Sequence, residues 1–190
     1  MRGYLSMLAL LLFFGLVIGR TLALRRRGIR AVVFGKTHRG DFLLLPIFPV
    51  FAYTVLAGAF GLPLPRVLNA PFWVSAAAAW AGLLLCAAAL VGFAATLKAF
   101  GNSFRVGIDE KEPDKLVTTG TFALSRNPVY VCFLAFFFGM FLQYPNLILA
   151  CLTALFAPLI HRQILREETF LRAHYGEEYA AYCARVRRYL

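Results

Sequence analysis

Five apolar stretches, separated by polar loops, account for most of the chain. They comprise residues 4–24, 42–62, 72–97, 129–144 and 147–160. A helix rises 1.5 Å per residue, so the first three are long enough to cross a hydrocarbon core of roughly 30 Å. The last two are shorter and are separated by Pro145-Asn146, which predicts a helical hairpin. The pattern predicts an all-α integral membrane protein with about five transmembrane helices, the last two forming this hairpin.

Two polar segments complete the predicted architecture. The loop of residues 101–125 carries four of the nine acidic residues and is too long to be a simple connection between packed helices. After residue 160 the chain is polar, but apolar side chains recur every three or four residues and predict a C-terminal amphipathic helix. This stripe consists of Leu171, Tyr175, Tyr179, Tyr182 and Val186. We expect Gly176 to bend the helix, and the stripe to lie on the membrane surface or to pack under the loop.

These elements predict a single membrane domain over residues 1–190. Its first part, residues 1–100, would hold three transmembrane helices, and residues 101–190 the loop, the hairpin and the C-terminal helix. We expect residues 4–24 to be an uncleaved anchor rather than a signal peptide, because the apolar region is long and the basic cluster follows it.

Composition and charge support a membrane protein and indicate its orientation. Hydrophobic residues make up 61% of the 190, and the mean hydropathy of +0.70 is too high for an ordinary soluble domain. A net charge of +11 could suggest nucleic acid, but 17 of the 20 basic residues fall on one side of the predicted membrane. This bias predicts an outside N-terminus, a cytoplasmic C-terminus and contact with membrane lipids, without nucleic-acid binding.

Several common chemistries lack their motifs. The four cysteines and three histidines show no spacing typical of metal ligands, so we expect no metal site. The chain also has no GxGxxG, GxxxxGK[ST] or GxSxG motif and no alternation of strands and helices. A nucleotide-like cofactor would therefore not be held by a doubly wound sheet.

Polar residues gather at the predicted start of the fourth apolar stretch. Pro128 suits the first position of a helix, and Asn127 before it can cap that helix. A helix N-terminus offers N–H groups to an anionic ligand, and Tyr130 follows one turn in. The alternative is a plain helix start with Arg126 among the lipid headgroups.

Glu167 and Glu168 follow the last apolar stretch and stand among arginines. Adjacent side chains on a helix point about 100° apart, so we expect at most one of the two to reach a shared site. The alternative is a solvated helix in which Glu168 pairs with Arg172 four residues on.

The order of these motifs resembles the membrane methyltransferases typified by isoprenylcysteine carboxyl methyltransferase, which are grouped with phospholipid N-methyltransferases. The resemblance covers about residues 102–186. The matching segments are Leu116-Val117-Thr118-Thr119-Gly120, Arg126-Asn127-Pro128-Val129-Tyr130, Glu167-Glu168-Thr169-Phe170-Leu171 and Tyr175-Gly176-Glu177-Glu178-Tyr179, followed by Tyr182.

The resemblance implies S-adenosylmethionine-dependent transfer of a methyl group, at the cytoplasmic face, to a lipophilic acceptor that arrives from the bilayer. The acceptor group could be a carboxyl, an amine or a thiol. The implied cofactor contacts are Asp114, Lys115, Leu116, Val117, Gly120, Phe122, Asn127, Pro128, Val129, Tyr130 and Glu167. The candidate catalytic residues are Glu167, Arg126 and Arg166, and the candidate substrate contact is Gln163.

Three positions depart from the pattern of the prenylcysteine enzymes. Asn127 replaces a histidine, as in bacterial-looking relatives, which points to a bacterial inner membrane. Phe122 replaces a tyrosine. Gln163 replaces a substrate-binding arginine, which weakens the case for a carboxylate acceptor, and neither Arg162 nor Arg166 shares its face of the helix. Two alternatives stay open: an NADPH-dependent membrane reductase of the sterol-reductase type, and a non-enzymatic membrane scaffold.

Overall fold

A computed structural model describes residues 1–26, 46–101 and 116–190, and in this part of the chain every regular element is helical. A 3-10 turn spans Gly120–Ala123. The α-helices in chain order are α1 (Arg2–Arg26), α2 (Ile47–Phe60), α3 (Arg66–Asn69), α4 (Ala76–Phe100), α5 (Pro128–Gln143) and α6 (Leu147–Arg185). The predicted all-helical class is therefore confirmed.

Among the helices of the described residues, α1, α4 and α6 are the three that are long and apolar enough to cross a membrane. The 14 residues of α2 and the 16 of α5 extend about 21–24 Å, which is shorter than a hydrocarbon core. Three of the about five predicted spans therefore have the length needed to cross a membrane. The second stretch was predicted to be helical over residues 42–62. Residues 42–45 lie outside the described part, and α2 ends at Phe60 because Gly61 turns away with φ 70°.

The predicted hairpin is present around Pro145, but its second arm differs from the prediction. Because Asn146 caps α6 by accepting from the Leu149 amide at 2.9 Å, the chain reverses within three residues. The prediction of a short helix over residues 147–160 was wrong. Pro158 does not end α6, which runs for 39 residues into the C-terminal helix, and only Gly176 (φ 50°, ψ −120°) interrupts it, as predicted.

Phenylalanine rings pack α5 against three other helices. The Phe136 ring stacks on Phe13 of α1 at a centroid distance of 4.4 Å. The Phe137 ring lies between Phe51 of α2 at 3.9 Å and Phe156 of α6 at 4.1 Å. All five rings are buried. Their stacking places α5 at the centre of the fold and fixes the depth of its polar N-terminus.

Helices α4 and α5 approach most closely where two glycines meet. A Cβ atom added at Gly82 would collide with the carbonyl oxygen of Gly139. A Cβ atom added at Gly139 would lie 2.7 Å from both the Gly82 oxygen and the Cys86 Sγ. Side chains at these positions would force the backbones apart, since each Cβ atom would meet the backbone carbonyl oxygen of the other glycine.

We expect Gly82→Ala to destabilise the protein by about 1–3 kcal/mol, the usual cost of overpacking a core. Gly15→Ala is the matched control, because a Cβ atom there meets nothing within 4 Å. Replacing glycine by alanine in a helix favours folding by about 1 kcal/mol, so this control should be neutral or stabilising. Thermal unfolding in detergent measures both variants, and equal midpoints would contradict the close approach.

Candidate functional site

Polar side chains from α5 and α6 meet where the apolar part of α6 ends. A hydrocarbon core of roughly 30 Å takes up about 20 helical residues, so Glu167, twenty residues into α6, lies near the membrane boundary. Its Oε1 accepts a hydrogen bond from the Tyr130 hydroxyl at 2.5 Å and another from the Gln163 amide at 3.0 Å. Three residues predicted for the site are therefore hydrogen-bonded to one another.

Glu168 forms a second polar group with partners from two segments, the residues just before α5 and the C-terminal end of the chain. Its carboxylate accepts hydrogen bonds from two nitrogens of Arg188 at 2.9–3.1 Å and lies 3.2 Å from Arg126 Nη2. The Asn127 amide donates to the same carboxylate at 3.3 Å. Glu168 and Asn127 are both buried. The carboxylate is thus neutralised by two guanidinium groups, as a buried charge requires.

These contacts correct two predictions and exclude one alternative. Asn127 occupies the N-cap position of α5, but its side chain makes no capping bond because it donates to Glu168 and to the Arg188 carbonyl instead. Both glutamates, rather than at most one, reach the start of α5. Glu168 pairs with Arg126 and Arg188 and not in the i, i+4 manner of an exposed helix.

The last five residues, 186–190, run beside the start of α5, and we call them the C-terminal strap. The Arg126 amide donates to the Arg187 carbonyl at 3.0 Å, and Asn127 Nδ2 donates to the Arg188 carbonyl at 3.1 Å. Tyr189 joins the strap to α6 through a 2.5 Å contact between its hydroxyl and His161 Nδ1. The hydrogen bond with Glu168 raises the pKa of Arg188, so this guanidinium stays charged.

The 3-10 turn lies against the end of α4 and the C-terminal part of α6. Gly120 opens the turn with φ 64°, a conformation that side chains other than glycine rarely adopt. The Phe122 ring is buried and meets Phe100 edge-on at 4.6 Å, while the Phe122 carbonyl accepts from the Tyr182 hydroxyl at 2.7 Å. Tyr179 and Tyr182 of the predicted apolar stripe are buried, and Tyr182 packs against this 3-10 turn.

The other predicted site residues are dispersed. Leu116 and Val117 are half-buried in the irregular segment before the 3-10 turn. Arg166 is half-buried on α6, one residue before Glu167. Asp114 and Lys115 lie outside the described residues.

The groups that meet at this site fit S-adenosylmethionine chemically. That molecule carries a sulfonium, an amine and a carboxylate. Glu167 supplies a half-buried carboxylate for the cationic groups. The first turn of α5 supplies N–H groups for an anion, and the buried Arg126 Nε has no hydrogen-bond partner among the described residues.

Sequence reasoning missed the structural role of Glu168 and the whole C-terminal strap. The motif series includes Glu168, but its spacing to Arg172 suggested a surface pair. Arg188 and Tyr189 belong to no motif, and their partners lie 20 and 28 residues away in the chain. The sequence offered one signal for the role of Glu168, a glutamate pair that follows an apolar stretch and stands among arginines.

Three apolar helices of membrane-spanning length, with a group of polar side chains where the apolar part of α6 ends, are typical of a membrane protein. Residues 66–178, more than half of the chain, match the model of the phospholipid methyltransferase family. The chain therefore belongs to that family of membrane methyltransferases, as its motif series predicted. No curated protein matches the chain.

Proposed function

We propose that the protein uses S-adenosylmethionine to methylate a lipophilic acceptor at the cytoplasmic face of the membrane. The observation that carries the proposal is the hydrogen-bonded group of Tyr130, Gln163 and Glu167 beside the α5 N-terminus. It combines a fixed carboxylate and an anion-binding helix end with walls made of apolar helices.

In this proposal the residues of the chain act mainly by positioning. S-adenosylmethionine, when bound, supplies an electrophilic methyl group whose bond to sulfur breaks as the acceptor's lone pair bonds to carbon. Tyr130 and Gln163 hold the Glu167 carboxylate, which attracts the amine and sulfonium. The aromatic core around Phe133 and Phe137 keeps water away. Alignment of two reactants in a dry site can supply most of the rate acceleration without strong acid–base catalysis.

The acceptor we favour is the amine of a phospholipid. The description of the matched family names phospholipids. Gln163 speaks against a carboxylate acceptor, because it places a neutral amide that bonds Glu167 where a substrate-binding arginine would stand. A lipophilic thiol is the other class to include in a screen of acceptors.

The proposed orientation has an outside N-terminus in a bacterial inner membrane. It rests on the basic residues that cluster at one side of the spans. The test is to fuse each end of the chain to a reporter that is active only in the cytoplasm. Activity of the N-terminal fusion would reverse the assignment.

Calorimetry on detergent-purified protein tests cofactor use. We expect S-adenosylmethionine and S-adenosylhomocysteine to bind and NADPH, the reductase cofactor, not to bind. Binding of NADPH alone would overturn the proposal, and so would binding of none of the three, which would leave the scaffold alternative.

Tyr130→Phe tests the site itself. This change removes only the hydroxyl that donates to Glu167, so we expect affinity for S-adenosylmethionine to fall by roughly tenfold, the value of a hydrogen bond to a charged group. Tyr53→Phe is the matched control, because the Tyr53 hydroxyl donates to the Pro63 carbonyl far from the site. Equal affinities in both variants would remove Tyr130 from the site.

A further inference from the structure

The segments that bear the site are joined by the C-terminal strap. Three successive residues, 125–127, each donate a hydrogen bond to a carbonyl of the strap. The Ser125 hydroxyl donates to the Arg188 carbonyl at 3.4 Å, and the Arg126 amide donates to Arg187 at 3.0 Å. Asn127 donates to Arg188 at 3.1 Å.

From these contacts we infer that Arg188 and the strap are a positioning device for the cofactor site. The inference rests on the proposed function and adds residues to it. Two nitrogens of the Arg188 side chain donate to Glu168, and the Arg188 carbonyl accepts from Asn127. Arg188 therefore fixes the residue that precedes α5. The strap lies beyond the last residue matched by the family model, residue 178. Its role therefore comes from the contacts of this chain.

The contacts of the strap give the two adjacent glutamates different roles. Glu167 is half-buried, accepts hydrogen bonds from Tyr130 and Gln163, and contacts the cofactor in the proposed function. Glu168 is buried and its oxygens are taken by Arg126, Asn127 and Arg188. Glu168 is thus a positioning residue, which acts on the cofactor through Asn127 and the α5 N-terminus.

The His161–Tyr189 contact anchors the free end of the strap. Tyr189 also packs against the main apolar cluster, so the strap is held at both ends: Val186 continues from α6, and Tyr189 is anchored back on α6 through His161. This restricts the two residues between these points, Arg187 and Arg188, whose carbonyls accept hydrogen bonds from Arg126 and Asn127. Pre-organisation of this kind raises ligand affinity by reducing the ordering required on binding.

A double-mutant cycle between Arg188 and Asn127 tests the inference, with calorimetric affinity for S-adenosylmethionine as the readout. We expect Arg188→Ala to weaken binding about tenfold and to add little when Asn127→Ala is already present, because both changes release the same segment. Arg185→Ala, an exposed arginine just before the strap, is the matched control and should leave affinity unchanged. Unchanged affinity in Arg188→Ala, or effects that multiply independently in the double variant, would overturn the inference.

Hydrogen exchange separates this inference from the proposed function. Without any cofactor, amides of residues 127 and 129–135 should exchange about tenfold faster in Arg188→Ala than in the natural chain, since the start of α5 opens more often. Deletion of residues 186–190 should give the same result and provides a second variant. If the natural protein bound no S-adenosylmethionine, faster exchange would still support the strap, and equal exchange in both variants would refute it.

Discussion

Glu168→Ala is expected to destabilise the folded protein by about 3–5 kcal/mol, the usual cost of removing one partner from a buried ion pair. The carboxylate is buried and neutralises Arg126, whose side chain is only 12% exposed. Without Glu168, the Arg126 guanidinium is left buried without a counter-charge, and the Asn127 amide loses an acceptor. Arg188, at 36% side-chain exposure, can turn toward water, so most of the loss comes from Arg126.

Thermal or denaturant unfolding in detergent measures this loss. Glu178→Ala is the matched control, because Glu178 is an exposed glutamate of the same helix ten residues on, and it should change stability by less than about 0.5 kcal/mol. Pairing Glu168→Ala with Arg126→Leu should recover part of the stability, since the orphaned charge is then removed. A Glu168→Ala protein as stable as the control would show that the ion pair contributes nothing to the fold.

The sequence predicted the helices well because their signals are local. An apolar run, a proline at the first helical position and an asparagine at a cap each act within a few residues, so α5 begins at Pro128 and α6 at Leu147. The predicted end of α6 was wrong because it rested on composition alone. Polar residues after residue 160 suggested a new element, but no residue there breaks the helix. The backbone yields only at Gly176, which has the required positive φ.

Three of the candidate site residues lie together in the structure, and their roles in binding cofactor or substrate stay predictions. Tyr130, Gln163 and Glu167 were identified from the motif series, and the structure brings them together. The partners of Glu168 could not be predicted, because ion pairing depends on three-dimensional proximity and an arginine-rich chain offers many candidates at every spacing. Arg172, four residues away, was the nearest in sequence, but the fold supplies Arg126 and Arg188 instead.

Glu167→Gln is expected to abolish most of the methyl transfer while leaving the fold intact. The change keeps the shape of the side chain and its capacity to accept from Tyr130 and Gln163. It removes the negative charge that, in the proposed function, attracts the cationic groups of the cofactor. A charge-assisted hydrogen bond contributes about 1.5–3 kcal/mol, so affinity for S-adenosylmethionine should fall roughly 10–150-fold.

The contrast with Glu168 makes the Glu167 result decisive. Calorimetry should give the large loss of affinity for Glu167→Gln, and thermal unfolding without cofactor should give a midpoint close to that of the natural protein, because Glu167 is half-buried and glutamine keeps the shape of the side chain and its accepting oxygen. Glu178→Gln again controls for loss of charge on the same helix and should bind normally. A general fall in stability would instead make both glutamates structural. Unchanged affinity together with an unchanged fold would remove Glu167 from the cofactor site, and the carboxylate that faces the sulfonium would then have to be sought elsewhere.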